Sequence, residues 1–392
     1  MATQAAPVVA AAAQQYLTPR QVLQRLTRLQ GPEQEQTINF TALSPLVLPS
    51  SVKTDKFIWG MQVRFHGRIA VGGTGFTPLP NALWNLVQEF RVYGTHAKYG
   101  AQVPFRQRGA TVRDYSVIFG QGFVPTQYTL KGGVAGTFDG TASTNFDCDF
   151  MWTLIFPPGD IPLSDQIVNG ALKGPDWAGD LHLAMDTTDG TALGTTAANI
   201  TFSAYGSASG SPQLLVSLIR PNMTVALMNA IFPAICFKTY TSLDSLLQGS
   251  TFTNQQIALL NIGKGTTRVI LKSGTLQTGV STGVEVFASL SDSIITQSYP
   301  ALDGKPLKNP YSNKEMREYG SFFYKTDSPS GYQVLDWIEG RNVLSAFPSQ
   351  GLTAARRFEV DGNITGAANQ GGERIQEELL GSPVIMPVPV GA

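Results

Sequence analysis

FIWGMQVRFHGRIAV, residues 57–71, is the stretch whose reading decides the fold. Every odd position is apolar or glycine: Phe57, Trp59, Met61, Val63, Phe65, Gly67, Ile69 and Val71. Between Gly60 and Arg68 the even positions are Gly60, Gln62, Arg64, His66 and Arg68. A side-chain period of two sends the two sets to opposite faces of one extended strand. At about 3.3 Å per residue such a strand reaches roughly 50 Å. A strand of that length with one greasy face needs a large second surface to bury it. The stretch therefore reads as the spine of a β-sandwich, and the rest of the chain as what closes over it.

Working outward, 392 residues exceed what one hydrophobic core normally serves, which predicts two domains of similar size. Charged residues make up only 14%, against about 25% in an average soluble domain. Because charges are rarely buried, that deficit falls on the surface and suggests coverage by partner chains. The 40 Gly and 24 Pro fit many turns between strands rather than long helices. A formal net charge of zero leaves no whole-molecule electrostatic footprint for nucleic acid. Cys148 and Cys236 fit no zinc or redox spacing and read as buried free thiols. The start, MATQAAPVVAAAA, makes a poor secretion signal, and no window approaches the roughly eighteen apolar residues that span a bilayer. These features predict synthesis in a reducing cytoplasm.

The chain carries one clean helix signal, with Thr18 as N-cap, Pro19 at the first helical position and Gly31-Pro32 as the stop. Val22, Leu26 and Leu29 line one face, and Arg20, Arg25 and Arg28 the other. Such a basic amphipathic helix suits an anionic membrane, another protein, or its own domain. Residues 36–220 then read as a first run of strands, including 85–94, 114–124, 141–156, 180–187 and 214–220. Residues 221–362 repeat the style, with strands at 234–240, 266–276, 283–294, 321–326, 332–338 and 355–362 and a short helix at 242–247. The expected domains are an arm and helix at 1–35, one roll at 36–220, a second at 221–362, and a C-terminal arm at 363–392. That arm is read as polar, with a helical turn at 373–380 and an extended Pro/Val tail. The fold class is all-β, two tandem eight-stranded jelly rolls with a short N-terminal helix.

Chemistry finds little support. His66, His96 and His182 sit in no motif with a nucleophile, and neither a GxSxG elbow nor an HExxH helix occurs. Gly263–Thr267 lacks the first glycine of a phosphate loop and runs into a strand, so it reads as a hairpin turn. Asp361–Gly366 resembles the start of a calcium loop, but position twelve is Gly372, and a turn is the reading. Asp147 and Asp149 flank Cys148 on one strand face and read as an exposed face or an inter-subunit contact. The connector FRQRGATVR (105–113), with Arg106, Arg108 and Arg113, reads as a loop making salt bridges to another subunit. The chain is expected not to be an enzyme, with no catalytic, cofactor or metal residues.

The order of segments resembles the double jelly-roll major capsid proteins of tectivirus-like bacteriophages, icosahedral and with an internal membrane. YLTPRQVLQRLTRLQ (16–30) is similar to the N-terminal helix of that family with its LTP start. IWGMQVRFHGRIAV (58–71) resembles its early long strand, and NLVQEFRVYG (85–94) the following one. FMWTLIFPPGDIPLSDQIVNGAL (150–172) is similar to its strand and proline break. The resemblance covers residues 16–187 and is topological beyond them. It implies a homotrimer forming a pseudo-hexagonal tile of an icosahedral shell, with loops in outward towers and termini inward. The implied partners are the chain itself, neighbouring trimers, minor capsid and penton proteins and an internal lipid membrane, with no specific nucleic acid. The implied location is the virion, after synthesis in the host cytoplasm. The alternative from another class is a glycan- or receptor-binding β-sandwich of a virion, for which Trp84, Tyr93 and Trp177 are the candidate aromatics.

Overall fold

The alternation of the spine stretch is borne out by the structure, a computed structural model that describes residues 29–48, 57–72, 76–79, 81–119, 144–157, 170–177, 180–195, 200–221, 237–246, 252–258, 265–302, 305–306, 311–312, 314–318, 328–336, 347–348, 358–364 and 369–380. Among the described residues eight strands build the two sheets of the first half, with short strands at 57–58, 77–78, 172–173, 194–195 and 200–203 beside them: β1 (Leu29–Asn39), β2 (Pro45–Val47), β3 (Gly60–Val71), β4 (Val87–His96), β5 (Gly100–Gln107), β6 (Thr144–Ile155), β7 (Leu181–Thr187) and β8 (Gln213–Pro221). They form two antiparallel sheets, ordered β1-β8-β3-β6 and β2-β7-β4-β5. Eight more hold the matching positions in the second half, with further short strands at 287–290, 305–306 and 347–348 among the described residues: β9 (Phe237–Leu246), β10 (Phe252–Ala258), β11 (Gly265–Leu276), β12 (Ile295–Leu302), β13 (Tyr311–Ser312), β14 (Tyr332–Asp336), β15 (Phe358–Ile364) and β16 (Gln370–Leu380). Their sheets are ordered β9-β16-β11-β14 and β10-β15-β12-β13. Adding eight to each strand number of the first pair gives the second pair. The chain contains the same jelly-roll topology twice.

In the first roll the inward residues of β3, Met61, Val63, Phe65, Ile69 and Val71, meet Phe90 and Val92 of β4 and Leu181, Leu183 and Met185 of β7 in one core. Edge-on aromatic contacts tie the layers together: Phe90 to Trp152 at 5.4 Å and Trp84 to Phe150 at 4.9 Å. The spine is interrupted at Trp59. Its N–H donates to the Ile219 carbonyl and its carbonyl accepts from Phe156 N–H, and it is only half-buried. Phe57–Ile58 pairs separately with Leu172–Lys173.

Several local expectations are corrected. Leu29 and Gln30, expected in the last helical turn, begin β1 and pair with Pro221 and Arg220. The ladder to β8 continues past the Gly31-Pro32 stop through a register shift between Gln30 and Glu33. Arg20, Val22, Arg25, Leu26 and Arg28 lie outside the described residues. The first roll thus begins before residue 36. Residues 109–118, expected as connector and strand, form helix α1 (Gly109–Ile118). Val112, Tyr115, Ser116 and Phe119 are buried at helical spacing, which explains why helix wins. Gly109 heads it because a Cβ there would strike the carbonyl oxygens of Trp84 and Val87. Residues 242–246 continue strand β9 instead of turning helical, and Asp361–Ile364 belongs to β15. Residues 370–380, assigned to a C-terminal arm, form β16 at the centre of a sheet, so the second roll closes beyond 362. Partners on both edges, β9 and β11, outweigh the helical leaning of its Glu and Gln residues.

Candidate functional site: the seam, the crown and the open face

Strand direction fixes the two ends of each roll. Antiparallel pairing puts the start of β1 beside the end of β8, Leu29 opposite Pro221. Likewise Phe237 of β9 lies opposite Leu380 of β16. The β1–β2, β3–β4, β5–β6 and β7–β8 connections gather at the other end. There Asp189 accepts bonds from Thr191 N–H (3.0 Å), the Thr191 hydroxyl (2.5 Å) and the hydroxyl of Ser281 in the β11–β12 connection (2.5 Å). Ser281 N–H donates to Thr191 Oγ1 at 3.0 Å. The rolls therefore stand side by side with like ends together. One end is a crown of connections, and Leu29 and Leu380 lie at the opposite end.

Between the rolls runs a buried seam built around α1. Arg108, which precedes the helix, donates from Nη1 and Nη2 to the carbonyl (2.6 Å) and carboxylate (3.0 Å) of Glu285. Its Nε lies 2.5 Å from Oε1 of Glu373 on β16. Burial works against the Arg108 charge, but Glu373 and Glu285 outweigh it and hold the guanidinium above its ordinary pKa. Lys272 of β11 donates to Thr111 Oγ1 (3.2 Å) and sits 3.6 Å from Asp114. Tyr332 donates to the same carboxylate at 2.5 Å. Burial and then Asp114 push that phenol's pKa well up, keeping it a donor. Arg268, fully buried, donates to Asp336 at 2.9 Å and lies with its guanidinium 4.1 Å from the Phe119 ring centre. The expectation of a contacting loop at 105–113 holds in chemistry but not in partner. Arg108 bonds the second roll of its own chain, Arg106 bonds Glu89 at 2.9 Å, and Arg113 bonds Asn81 at 2.8 Å.

The outer face of β1-β8-β3-β6 is the open counterpart. Arg64 lies 2.6 Å from Asp149, and His66 lies 3.3 Å from the same carboxylate and stacks on Tyr205 at 4.3 Å. Arg68 donates to Asp147 at 2.8 Å, which also accepts Gly206 N–H at 2.8 Å. Asp147 and Asp149 therefore pair across strands within the chain. Met151 and Leu215 lie half-buried on this face.

The remaining sequence candidates hold structural posts. His96 is buried between Trp177 and Tyr99, and its Nδ1 accepts Lys98 N–H at 3.1 Å. Burial lowers its pKa. His182 lies 3.2 Å from Asp180. Cys148 is a buried free thiol with its pKa pushed well up by burial. Trp84 and Trp177, nominated for glycan stacking, are buried in the first roll. Among the described residues no group of three His, Cys, Asp or Glu could hold a metal ion, and no helix is long and apolar enough to cross a membrane. The seam was missed in the sequence because alternating charge on β11 reads as a solvent face.

No protein-family model matches the sequence, and no curated protein matches it. Solved structures do match over most of the chain. The MCP of STIV (Sulfolobus turreted icosahedral virus) aligns at 13% identity and a TM-score of 0.58, covering 89% of this chain and 96% of that one. The major capsid protein P2 from bacteriophage PM2 aligns at 9% identity and 0.52, covering 90% and 97%. The PBCV-1 virus capsid aligns at 10% identity and 0.53, covering 90% and 94%. At such identities the likeness shows the fold, which is the double jelly roll of these capsid structures.

Proposed function

We propose that this protein is the major capsid protein of an icosahedral virus, a structural and non-enzymatic component of the virion that assembles with copies of itself. The observation that carries the reading is the two-roll topology, shared over about nine-tenths of the chain with viral capsid proteins. A low-charge surface and a rigid seam suit a unit that is covered by neighbours and keeps its shape while packed. The finer assignments are a homotrimeric pseudo-hexagonal capsomer, an outward crown, terminal arms directed inward, and an internal membrane or a neighbouring tile beneath the helix expected at 18–30. Minor capsid and penton proteins complete the shell.

Light scattering behind a sizing column tests the reading. A mass near three times 42.1 kDa, or a larger particle, supports it, and hexagonal tiles in negative stain extend it. A clean monomer at all concentrations overturns it. Deleting residues 1–28 leaves β1 intact and is expected to spare the trimer while impairing closed shells; intact shells from that variant would remove the helix from assembly.

A further inference from the structure

One buried ion pair of the seam contains an amine. Arg108 with Glu373 and Arg268 with Asp336 pair through guanidiniums, which stay protonated and do not act as nucleophiles. Lys272 with Asp114 is different. Both side chains are 2% exposed, and Nζ lies 3.6 Å from Oδ2. Thr111 Oγ1 accepts a bond from the amine at 3.2 Å, and the rings of Phe287 and Tyr332 lie 5.1 and 5.5 Å from Nζ. The carboxylate is held on both oxygens. Tyr332 donates to Oδ2 at 2.5 Å, and Arg113 Nη1 lies 3.5 Å from Oδ1. By contrast, the acidic partners in the pairs Lys173–Asp176 and Lys314–Glu318 are 34% and 69% exposed, so water reaches them.

We propose that Lys272 and Asp114 condense to an isopeptide bond, which joins the two rolls covalently. The Nζ–Cγ bond forms, the Cγ–Oδ2 bond breaks, and one water leaves. Of the three ammonium protons, one passes to Oδ2 directly and one stays as the amide N–H. The other replaces the hydroxyl proton that Tyr332 gives to the departing oxygen. The two charges cancel, so the step needs no oxidant, no reductant and no further reactant. Burial keeps the Tyr332 phenol protonated, so its proton is in place when the oxygen departs. Arg113 faces Oδ1, which carries the negative charge of the tetrahedral intermediate and remains as the amide oxygen. Burial also sets the direction, because a desolvated ion pair is costly whereas a neutral amide is not. Groups fixed in this way react as if at about 10⁵–10⁸ M, and 3.6 Å is near the roughly 3–3.5 Å of a reactive approach. A cleft of about 350 Å³ between the rolls, lined by Lys272 and Arg113, gives the water a way out. The bond lies within one chain and does not depend on the shell reading.

The test is the mass of the full-length protein, measured after denaturation, and needs no variant to fold. The expected mass is lower than that of the sequence by one water. Trypsin should then release a branched peptide joining the one that begins at Asp114 to the one that contains Lys272, uncleaved at that lysine. Lys272→Arg keeps the positive charge but has no amine to acylate, and it should show the full mass of its sequence. Tyr332→Phe should retain the circular dichroism spectrum of the wild type yet form the bond about a hundredfold more slowly, followed as the loss of water over time in freshly made protein. Folded wild-type protein that keeps its full mass on prolonged incubation overturns the proposal, as does a loss of water located at any other residue. Bond formation at the wild-type rate in Tyr332→Phe overturns the proton transfer assigned to that hydroxyl.

Discussion

β3 and β11 hold the same position in the two rolls, each twelve residues long and each opening on glycine. Both place apolar residues inward and cations outward, but the outward faces have opposite fates. On β3, Arg64 is 44% exposed beside Asp149. On β11, Arg268 and Lys272 are sealed under α1. The same alternation thus supports an exposed face in one roll and a buried, ion-paired interface in the other. Topology is indifferent to which it receives, whereas energetics are not. A charge facing water needs no particular partner, while a charge in the seam is stable only with its partner in place.

Mutations should separate the two strands in order of severity. Phe65→Asp puts an unpaired carboxylate among Phe40, Phe202 and the core, a cost comparable with the roughly 5–15 kcal/mol stability of a domain. Loss of soluble folded protein is expected, and a normal melting curve would mean that the inward face of β3 is misassigned. Asp336→Ala removes the 2.9 Å bond to the buried Arg268 guanidinium, which keeps Glu377 at 3.7 Å, and should cost about 1.5–3 kcal/mol in urea unfolding. Its counterpart Asp149→Ala, measured on the dissociated chain, should cost about 0–1 kcal/mol. Equal effects would erase the distinction between the strands. Asp189→Ala removes the bond from Ser281 across the crown and should cost about 1.5–3 kcal/mol, with faster amide exchange at 189–193 and 281–284.

The smallest effect is a pH dependence within the first roll. Burial, aided by Lys98 and Lys173 and opposed by Asp176, holds the His96 pKa below its unfolded value of about 6.5. The unfolded chain therefore takes up the proton first as pH falls. Stability from neutral His96 is complete above about pH 6.5 and is lost as pH falls toward the folded pKa. His96→Gln should flatten this part of the stability profile between about pH 5 and 7. An unchanged profile would assign the slope to another group.

The first roll was legible because its sandwich obeys one rule, apolar inward and polar outward. Strands β3, β6 and β7 could be read from alternation alone. Helix α1 escaped because the helical spacing of Val112, Tyr115, Ser116 and Phe119 straddles the boundary between the Arg-rich connector 105–113 and the apolar run 114–124. β16 escaped because GGERIQEELL carries Glu, Gln and Leu that favour helix locally, while its ladders to β9 and β11 are formed with residues distant in sequence, from Thr275 opposite Gln370 to Phe237 opposite Leu380. The seam could not be read because alternation reports that a strand has two different faces, not what covers the second one. Pairs such as Lys272 with Asp114 and Arg108 with Glu373 exist only once two distant segments are brought together.

The adjacency of first and last strands in each roll has a genetic consequence. A module whose two ends emerge at one place can be copied in tandem, because the joining peptide need not cross the sandwich or thread a loop. Residues 222–236 are the whole of that joint here, between Pro221 and Phe237. The two rolls share one path of the chain while the first presents an open outer face and the second a buried one.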